Sequence, residues 1–269
     1  MKKKIKNLFY NSNSQSIKYE KYFHVYEKIF EKFKNKKVKF VEIGIHNGGS
    51  LEIWKNFFPK GSKIIGVDIN PECRQFSKKN IEVFIGNQSD PKFWDNFFSK
   101  IGKVDIVLDD GGHTNLDQII TASKVIKNIK DGGILLVEDT HTSYSSIYNS
   151  SKNFSFIEFS KKIIDDINSK YSNKIKKFNF SLSNYVYSVE FYESMVVFNI
   201  DKKKTYYNRL LTNKKKNFGI QDKTWQGNEI YVLKIRNIFS KFKNLISLNK
   251  LLAFIKHRIN NKILKKYFE

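Results

Sequence analysis

Apolar and polar positions follow two alternating patterns between residues 36 and 171. Short, almost continuously apolar runs predict strands, and the stretches between them, with apolar positions every three to four residues, predict helices. The predicted strands are 38–43, 63–69, 81–85, 104–108 and 134–137, and the predicted helices between them are 51–58, 71–79, 93–99 and 115–129. Apolar strands that alternate with helices are typical of a parallel sheet covered on both faces.

The pattern changes after a further predicted helix at 156–171. Two β-rich runs, 185–192 and 195–200, are separated only by Glu193 and Ser194. A two-residue connection between such runs predicts a β-hairpin. We therefore predict an α/β fold with a mostly parallel seven-stranded sheet that ends in an antiparallel hairpin.

Two segments flank this core. Helical spacing of apolar residues predicts an amphipathic helix at 17–33, within an N-terminal helical segment at 1–35, and the core domain is predicted at 36–201. Lysines and a helical apolar pattern then predict a basic, mainly helical extension at 202–269. Three alternatives remain for what covers the apolar face of this extension: a membrane surface, the core domain itself, or a second subunit of a homo-oligomer.

The formal net charge of +23 favours an anionic partner, such as nucleic acid, a membrane surface or a phosphorylated substrate. Coding bias is the alternative, because Lys, Asn, Ile and Phe are abundant together. No sequence motif for nucleic-acid binding is present, so we expect no specific nucleic acid as a partner.

The single Cys73 excludes an internal disulfide, and no apolar run is long enough to span a bilayer. We expect a cytoplasmic protein, with peripheral contact at the inner membrane face through the basic helix as an alternative.

The loop after the first predicted strand is rich in glycine and contains Glu42, Gly44, His46, Gly48 and Ser50. Glycines let a backbone press closely against a ligand, and the helix that follows offers free N–H groups at the same place. The spacing G-x-x-x-G-G is wider than that of dinucleotide-binding loops and suits the amino-acid end of S-adenosylmethionine. Tight packing of the loop is the alternative explanation.

Polar residues after the next strands extend this predicted cofactor site. Asp68 ends the second strand, where a carboxylate can accept hydrogen bonds from both ribose hydroxyls or cap the next helix. Asn87, Gln88 and Ser89 follow the third strand, in the loop that lies beside adenine in this topology, or they form a polar turn. We predict that all four residues bind the cofactor, together with Asp109 at the end of the fourth strand.

Acidic residues and histidines follow the fourth and fifth strands. Neighbouring parallel strands end about 5 Å apart, at the edge where such sheets bind ligands. Asp110 and Asp139 are therefore predicted ligands of a hard cation such as Mg²⁺, with solvated helix caps as the alternative. His113 is the predicted general base, beside Asp110 as a second catalytic residue, because imidazole titrates near neutral pH.

These motifs resemble those of the macrolide-sugar O-methyltransferases of the demethylmacrocin and mycinamicin type, and of related proteins grouped with cephalosporin hydroxylase. The matching stretches follow the family order from about residue 14 to 201, and the more specific ones contain DDGGH and VEDTHTSY. The resemblance implies a Rossmann-like class I methyltransferase fold and S-adenosylmethionine as methyl donor. It also implies metal-assisted methylation of a sugar hydroxyl, with Asp110 and Asp139 on Mg²⁺ and His113 as base.

The expected acceptor is a surface-polysaccharide sugar, from capsule or lipooligosaccharide, or a nucleotide-linked sugar. Two alternatives stay open: a non-catalytic binding protein of glycan assembly that keeps the cofactor fold, and an RNA or small-molecule methyltransferase. A nucleotide-dependent oxidoreductase is disfavoured by the loop spacing and by the terminal hairpin.

Overall fold

The computed structural model describes residues 4–148, 154–170, 180–206, 211–216 and 219. The chain divides into two units, Met1–Arg209 and Leu210–Glu269, and the elements given below belong to the first. Most of the predicted basic extension at 202–269 lies outside the described residues, so its helical character stays a prediction. Within the described ranges, no helix combines the length and apolar character needed to cross a membrane.

A seven-stranded sheet forms the centre of the first unit. Its strands are β1 Lys39–Ile43, β2 Lys63–Asp68, β3 Ile81–Ile85, β4 Val104–Asp109, β5 Ile129–Val137, β6 Val186–Tyr192 and β7 Met195–Ile200. The spatial order is β3-β2-β1-β4-β5-β7-β6; the first five strands pair in parallel, and β7 runs antiparallel to both of its neighbours. The predicted parallel sheet with a terminal hairpin is confirmed.

Both faces of the sheet are buried, because successive strand side chains point to opposite sides. Phe40 and Ile106 belong to one hydrophobic cluster, and their neighbours Val41 and Val107 belong to the other. This two-sided burial explains why the strand sequences are almost continuously apolar rather than alternating.

Helices cover both faces. In the described part of the chain they are α1 Ile5–Tyr10, α2 Tyr22–Phe30, α3 Gly49–Phe57, α4 Pro91–Ile101, α5 Asn115–Val125 and α6 Phe156–Ser169. Three of them, α4, α5 and α6, are directly preceded by a polar residue, Asp90, Thr114 or Ser155, whose side chain accepts a backbone N–H of the first turn. Such caps satisfy N–H groups that the helix itself leaves without partners.

The prediction of a continuous helix at 17–33 is wrong at its start. α2 begins at Tyr22, and a 3₁₀ turn, Glu31–Phe33, follows it, whereas residues 15–19 have no regular secondary structure. The reason lies in Lys18, whose side chain is only 3% exposed and reaches Asp110 at the edge of the sheet. A residue on the outer face of a surface helix would instead direct its charge into solvent.

The predicted limits of other elements also change, most clearly at two places. The segment 71–79 is a 3₁₀ helix at Pro71–Phe76 rather than an α-helix, and β5 begins at Ile129 instead of 134. Gly132 and Gly133, which follow the predicted helix at 115–129, lie within β5, where the pairing with β4 shifts register. Gly133 allows this close passage, since a Cβ there would lie 2.4 Å from the carbonyl oxygen of Asp105.

Candidate active site

A cleft of about 630 Å³ opens at the carboxyl ends of the parallel strands. The predicted site residues that line it are Gly44, His46, Asp68, Asn87, Gln88, Asp110, His113 and Asp139. The predicted residues that do not line it are Glu42, Gly48, Ser50, Ser89 and Asp109. Ser50 lines a smaller adjoining pocket of about 100 Å³, together with Gln15 and Ser16.

The glycines of the loop after β1 permit close packing. Gly44 has φ +79°, and a Cβ on it would lie 2.1 Å from the carbonyl oxygen of Asp110. Gly48 has φ +71°, and a Cβ there would lie 2.7 Å from the ring of Phe76. The tight packing considered as an alternative therefore does account for these glycines, although Gly44 also lines the cleft.

Asp68 holds this glycine loop in place. Its Oδ2 accepts the backbone N–H groups of Ile45 at 2.9 Å and His46 at 3.2 Å. Its Oδ1 accepts the N–H of Asn70 at 2.9 Å. A carboxylate has about four acceptor positions, so Asp68 keeps capacity for a ligand in the cleft it lines.

The apolar wall of the cleft was not predicted from the sequence. Ile69 is 68% exposed and lines the cleft beside Asp68, and the ring of Phe76 lines it too. An apolar surface next to polar acceptors suits a planar nucleobase attached to a ribose. The sequence did offer one indication: Ile69 directly follows Asp68, the last residue of its strand. An isoleucine past the end of a strand is not needed for the hydrophobic core and can contact a ligand.

The three residues after β3 have different environments. The Oδ1 of Asn87 accepts the N–H and O–H of Ser89, at 2.9 and 2.7 Å, which forms a local polar turn. Gln88 is buried, and its amide donates to Asp109 at 3.0 Å and to Thr121 at 3.2 Å. Its Oε1 accepts the N–H of Gly112 at 2.8 Å. The Gln88 amide therefore positions the loop after β4.

Asp109 lies behind that loop and is 1% exposed. Its Oδ1 accepts from Gln88 and from the N–H of Gly111, at 3.0 and 3.3 Å. Its Oδ2 is buried and has no hydrogen-bond partner among the described residues. Burial raises the pKa of Asp109 to about 7, and the two hydrogen bonds only partly oppose that rise.

Asp110, His113 and Asp139 come together at the cleft, as the sequence predicts. Each offers one ligand atom, and these atoms all lie within 4.8 Å of one another. The Nε2 of His113 is 3.4 Å from Oδ2 of Asp139 and 4.0 Å from Oδ1 of Asp110. His113 and Asp139 have φ values of +58° and +54°, which are uncommon outside glycine and are often found at functional sites.

This donor set fits a divalent cation. Mg²⁺ binds through one or two carboxylates and fills its remaining positions with water or substrate oxygens. Asp110 and Asp139 supply two carboxylates, each partly accessible from the cleft. Within the described residues, the buried Nδ1 of His113 has no hydrogen-bond partner, whereas its Nε2 faces both carboxylates.

Lys18, whose side chain is buried at the same edge of the sheet, was also not predicted from the sequence. Its Nζ lies 2.5 Å from Asp110, 3.2 Å from Glu138 and 3.8 Å from Glu42. Burial alone would lower the pKa of Lys18, but the three carboxylates outweigh burial and raise it above its usual value. In a chain with 49 Lys and Arg residues, nothing in the sequence around Lys18 distinguishes it.

Hydroxyl groups complete the surroundings of Lys18. Ser50 donates to the Oε2 of Glu42 at 2.7 Å, and the hydroxyl of Tyr26 donates to Glu138. Burial raises the pKa of Glu42 to about 7 and holds the pKa of Glu138 well above its usual value. Two predicted cofactor-binding residues, Glu42 and Ser50, are thus partners of each other in the wall next to Lys18.

A second cleft, of about 400 Å³, begins at Thr140 and His141, directly after Asp139. Tyr144, Phe191 and Tyr192 supply its aromatic lining. The Nδ1 of His141 is hydrogen-bonded to the hydroxyl of Ser194, which lies in the hairpin turn. The terminal hairpin therefore contributes directly to the surface beside the acidic residues.

No protein-family model matches the chain. It is 32% identical over 130 residues to 8-demethyl-8-alpha-L-rhamnosyl tetracenomycin-C 2'-O-methyltransferase of Streptomyces olivaceus, a match that covers 46% of this chain and 34% of the relative. It is 33% identical over 126 residues to mycinamicin VI 2''-O-methyltransferase of Micromonospora griseorubida, covering 44% and 31%. The matches thus span about a third of the length of these curated relatives.

A solved structure resembles most of the chain. The MycE methyltransferase from the mycinamycin biosynthetic pathway, in complex with Mg and SAH, superposes with a TM-score of 0.70 at 22% identity. The superposition covers 81% of this chain and 59% of MycE. The resemblance carried by the motifs is confirmed: the chain has the Rossmann-like class I methyltransferase fold and is similar in sequence to sugar O-methyltransferases.

Proposed function

We propose that the protein is an S-adenosylmethionine-dependent O-methyltransferase that acts on a sugar hydroxyl. One observation carries the proposal: the glycine-loop cleft and the Asp110–His113–Asp139 set share a single cavity. A methyl donor seated by the loop and an acceptor activated by the set would then meet without a further conformational step. The similarity to sugar O-methyltransferases supports the same reaction class.

The first part of the cleft is the proposed donor site. When bound, S-adenosylmethionine supplies an electrophilic methyl group on a sulfonium. Asp68 accepts from the ribose hydroxyls, and Ile69 and Phe76 contact the purine. Gly44 and His46 face the amino-acid end, because both line the cleft in the loop that Asp68 fixes.

His113 is the proposed general base. Its Nε2 faces the cleft between the two carboxylates and takes the proton of the acceptor hydroxyl as that oxygen attacks the methyl group. The methyl–sulfur bond of the donor breaks in the same step, and the demethylated thioether leaves with the electron pair. Asp139, 3.4 Å away, stabilises the imidazolium that results. Mg²⁺ held by Asp110 and Asp139 would supply Lewis acidity that favours loss of the hydroxyl proton.

The second, aromatic cleft is the proposed acceptor site. It begins one residue after Asp139, and aromatic faces beside a few polar groups suit a ring with one apolar and one polar aspect. Lys161 also lines this cleft and suits an anionic group attached to the sugar. We infer a nucleotide-linked sugar or a surface-polysaccharide sugar as acceptor.

A methyl-transfer screen tests this function. The full chain is incubated with labelled donor and with panels of nucleotide-activated sugars and surface glycans, with and without EDTA. We expect transfer to a sugar in one panel, and a His113→Ala variant at least about 100-fold slower. His24→Ala is the matched control, because His24 is an exposed histidine of α2 that does not line the cleft.

Two outcomes would contradict the proposal. One is the absence of measurable affinity for S-adenosylmethionine and its demethylated product in calorimetry. The other is unchanged methyl transfer in His113→Ala, which would remove His113 from the reaction.

A further inference from the structure

Lys18 is a positive charge built into the proposed metal site. Its Nζ lies 2.5 Å from Asp110, a carboxylate that also belongs to the set of potential cation ligands with His113 and Asp139. Asp110 therefore already has a cationic partner when no metal ion is bound. A divalent ion at the same carboxylate would share it with this ammonium group.

The chain holds Lys18 there through backbone as well as side-chain contacts. The segment before it, residues 12–17, crosses the glycine loop and the start of α3. Asn13 donates to Glu52 through its backbone N–H at 3.2 Å and its side-chain amide at 3.0 Å. Gln15 accepts from Asn47 at 3.2 Å, and a Cβ on Gly49 would lie 2.4 Å from the carbonyl oxygen of Ser14. This close fit limits how far Lys18 can withdraw.

Movement of the Lys18 ammonium group away from Asp110 would also destabilise its two other partners, Glu138 and Glu42. Glu138 and Glu42 are fully buried, and both lie within 4 Å of its Nζ. Carboxylates buried without a cation are strongly unfavourable. The ammonium group therefore stays close to Asp110 when a second cation approaches, and like charges in this partly buried setting repel strongly.

We propose that Lys18 is an intramolecular competitor of the divalent cation at Asp110, so that this chain binds Mg²⁺ or Mn²⁺ much more weakly than its donor set alone would allow. The inference rests on the metal ligands named in the proposed function. It concerns cation affinity, which is measured without any methyl acceptor. Absence of methyl transfer would leave the cation measurement intact.

The test compares Mn²⁺ binding by the full chain in three forms, using electron paramagnetic resonance of free Mn²⁺ and competition by Mg²⁺. Lys18→Met keeps most of the side-chain volume and removes the charge. Lys21→Met is the matched control, because Lys21 is only three residues away but is exposed and pairs with Glu193. We expect Lys18→Met to bind Mn²⁺ at least about tenfold more tightly than the unmodified chain, and Lys21→Met to bind as the unmodified chain does.

A second comparison tests the proposal if Lys18→Met does not fold, because it removes a buried acid together with the lysine. Glu138→Gln removes one buried carboxyl group next to Lys18 and leaves Asp110, Asp139 and His113 in place. The double variant Lys18→Met/Glu138→Gln is then compared with Glu138→Gln alone, each first checked by circular dichroism. The proposal again requires tighter Mn²⁺ binding when Lys18 is absent.

Three results would overturn it. Equal Mn²⁺ affinity with and without Lys18 would show that the ammonium group does not compete. Weaker binding without Lys18 would show that it organises the carboxylates for the ion. Absence of Mn²⁺ binding in every form would remove the cation site itself.

Discussion

The two halves of the cleft are stabilised by different interactions. Next to β1 and β2, backbone groups make the contacts: Asp68 accepts N–H groups of the glycine loop, and Gly44 packs against the backbone of Asp110. Next to β4 and β5, buried charged groups and hydroxyls make the contacts: Lys18 and Tyr26 are both partners of Glu138. The hydrogen bonds of Asp68 to the glycine loop join residues 22 and 23 positions apart, whereas Lys18 and Tyr26 reach Glu138 from 120 and 112 positions away.

A methyl group at Gly44 should disturb the first half most. In Gly44→Ala, the new Cβ would overlap the carbonyl oxygen of Asp110, and φ +79° is unfavourable for alanine. We expect a loss of about 4 kcal/mol or more in the free energy of unfolding, measured by urea denaturation. Gly132→Ala is the control, because Gly132 has φ +82° but no atom within 4 Å of an added Cβ. Equal losses in both variants would show that backbone strain, and not loop contact, sets the cost.

The buried acid Asp109 should make the second half sensitive to pH. Its pKa is raised from 3.8, the value for an exposed carboxyl, to about 7 in the folded state. At pH values between these two, unfolding therefore releases a proton. Its contribution to stability is fully present below pH 4 and is lost as pH rises through about 7. In Asp109→Asn this loss should be absent, which reduces the fall in unfolding free energy between pH 4 and 8 by about 4 kcal/mol.

Chemical denaturation from pH 4 to 8 in the presence of EDTA measures this difference. Asp95→Asn is the control, because Asp95 is exposed and pairs with Lys124 at the surface. An unchanged pH dependence in Asp109→Asn would assign the destabilisation to other buried acids, such as Glu42.

The smallest expected effect is that of a single hydroxyl from the N-terminal segment. Tyr26 is fully buried, and its hydroxyl donates to Glu138. Tyr26→Phe should lower the free energy of unfolding by about 1–2 kcal/mol, because a buried acceptor loses a partner. Tyr192→Phe also loses a hydrogen bond to a glutamate, but Tyr192 is only partly buried, and we expect a loss below about 0.5 kcal/mol. Similar losses in the two variants would contradict the special dependence of the second half on α2.

The predictable parts of the molecule are those that local patterns and sheet topology determine. Apolar runs located the strands, and the Glu193–Ser194 connection located the hairpin. Asp110, His113 and Asp139 could be placed together because they follow neighbouring parallel strands. In each case, the position of a residue along its strand decides its position in space.

The remaining features depend on contacts between distant segments. Lys18 has no distinctive sequence context, and its burial follows only from the three carboxylates around it. Gln88, which was predicted to contact a nucleobase, lines the cleft, and the sequence did not reveal that its amide is also hydrogen-bonded to Asp109, Thr121 and Gly112. Side-chain direction at such positions is decided by buried partners that hydrophobic periodicity does not reveal.

The course of the chain before α2 has a consequence for dissecting the molecule. A fragment trimmed to the sheet, starting at residue 36, would retain the seven strands described above and the carboxylates that line the cleft. It would lack the ammonium group of Lys18 and the hydroxyls of Tyr22 and Tyr26, which contact Asp110, Asp139 and Glu138 respectively. The smallest fragment with an intact acidic edge must therefore begin before Lys18.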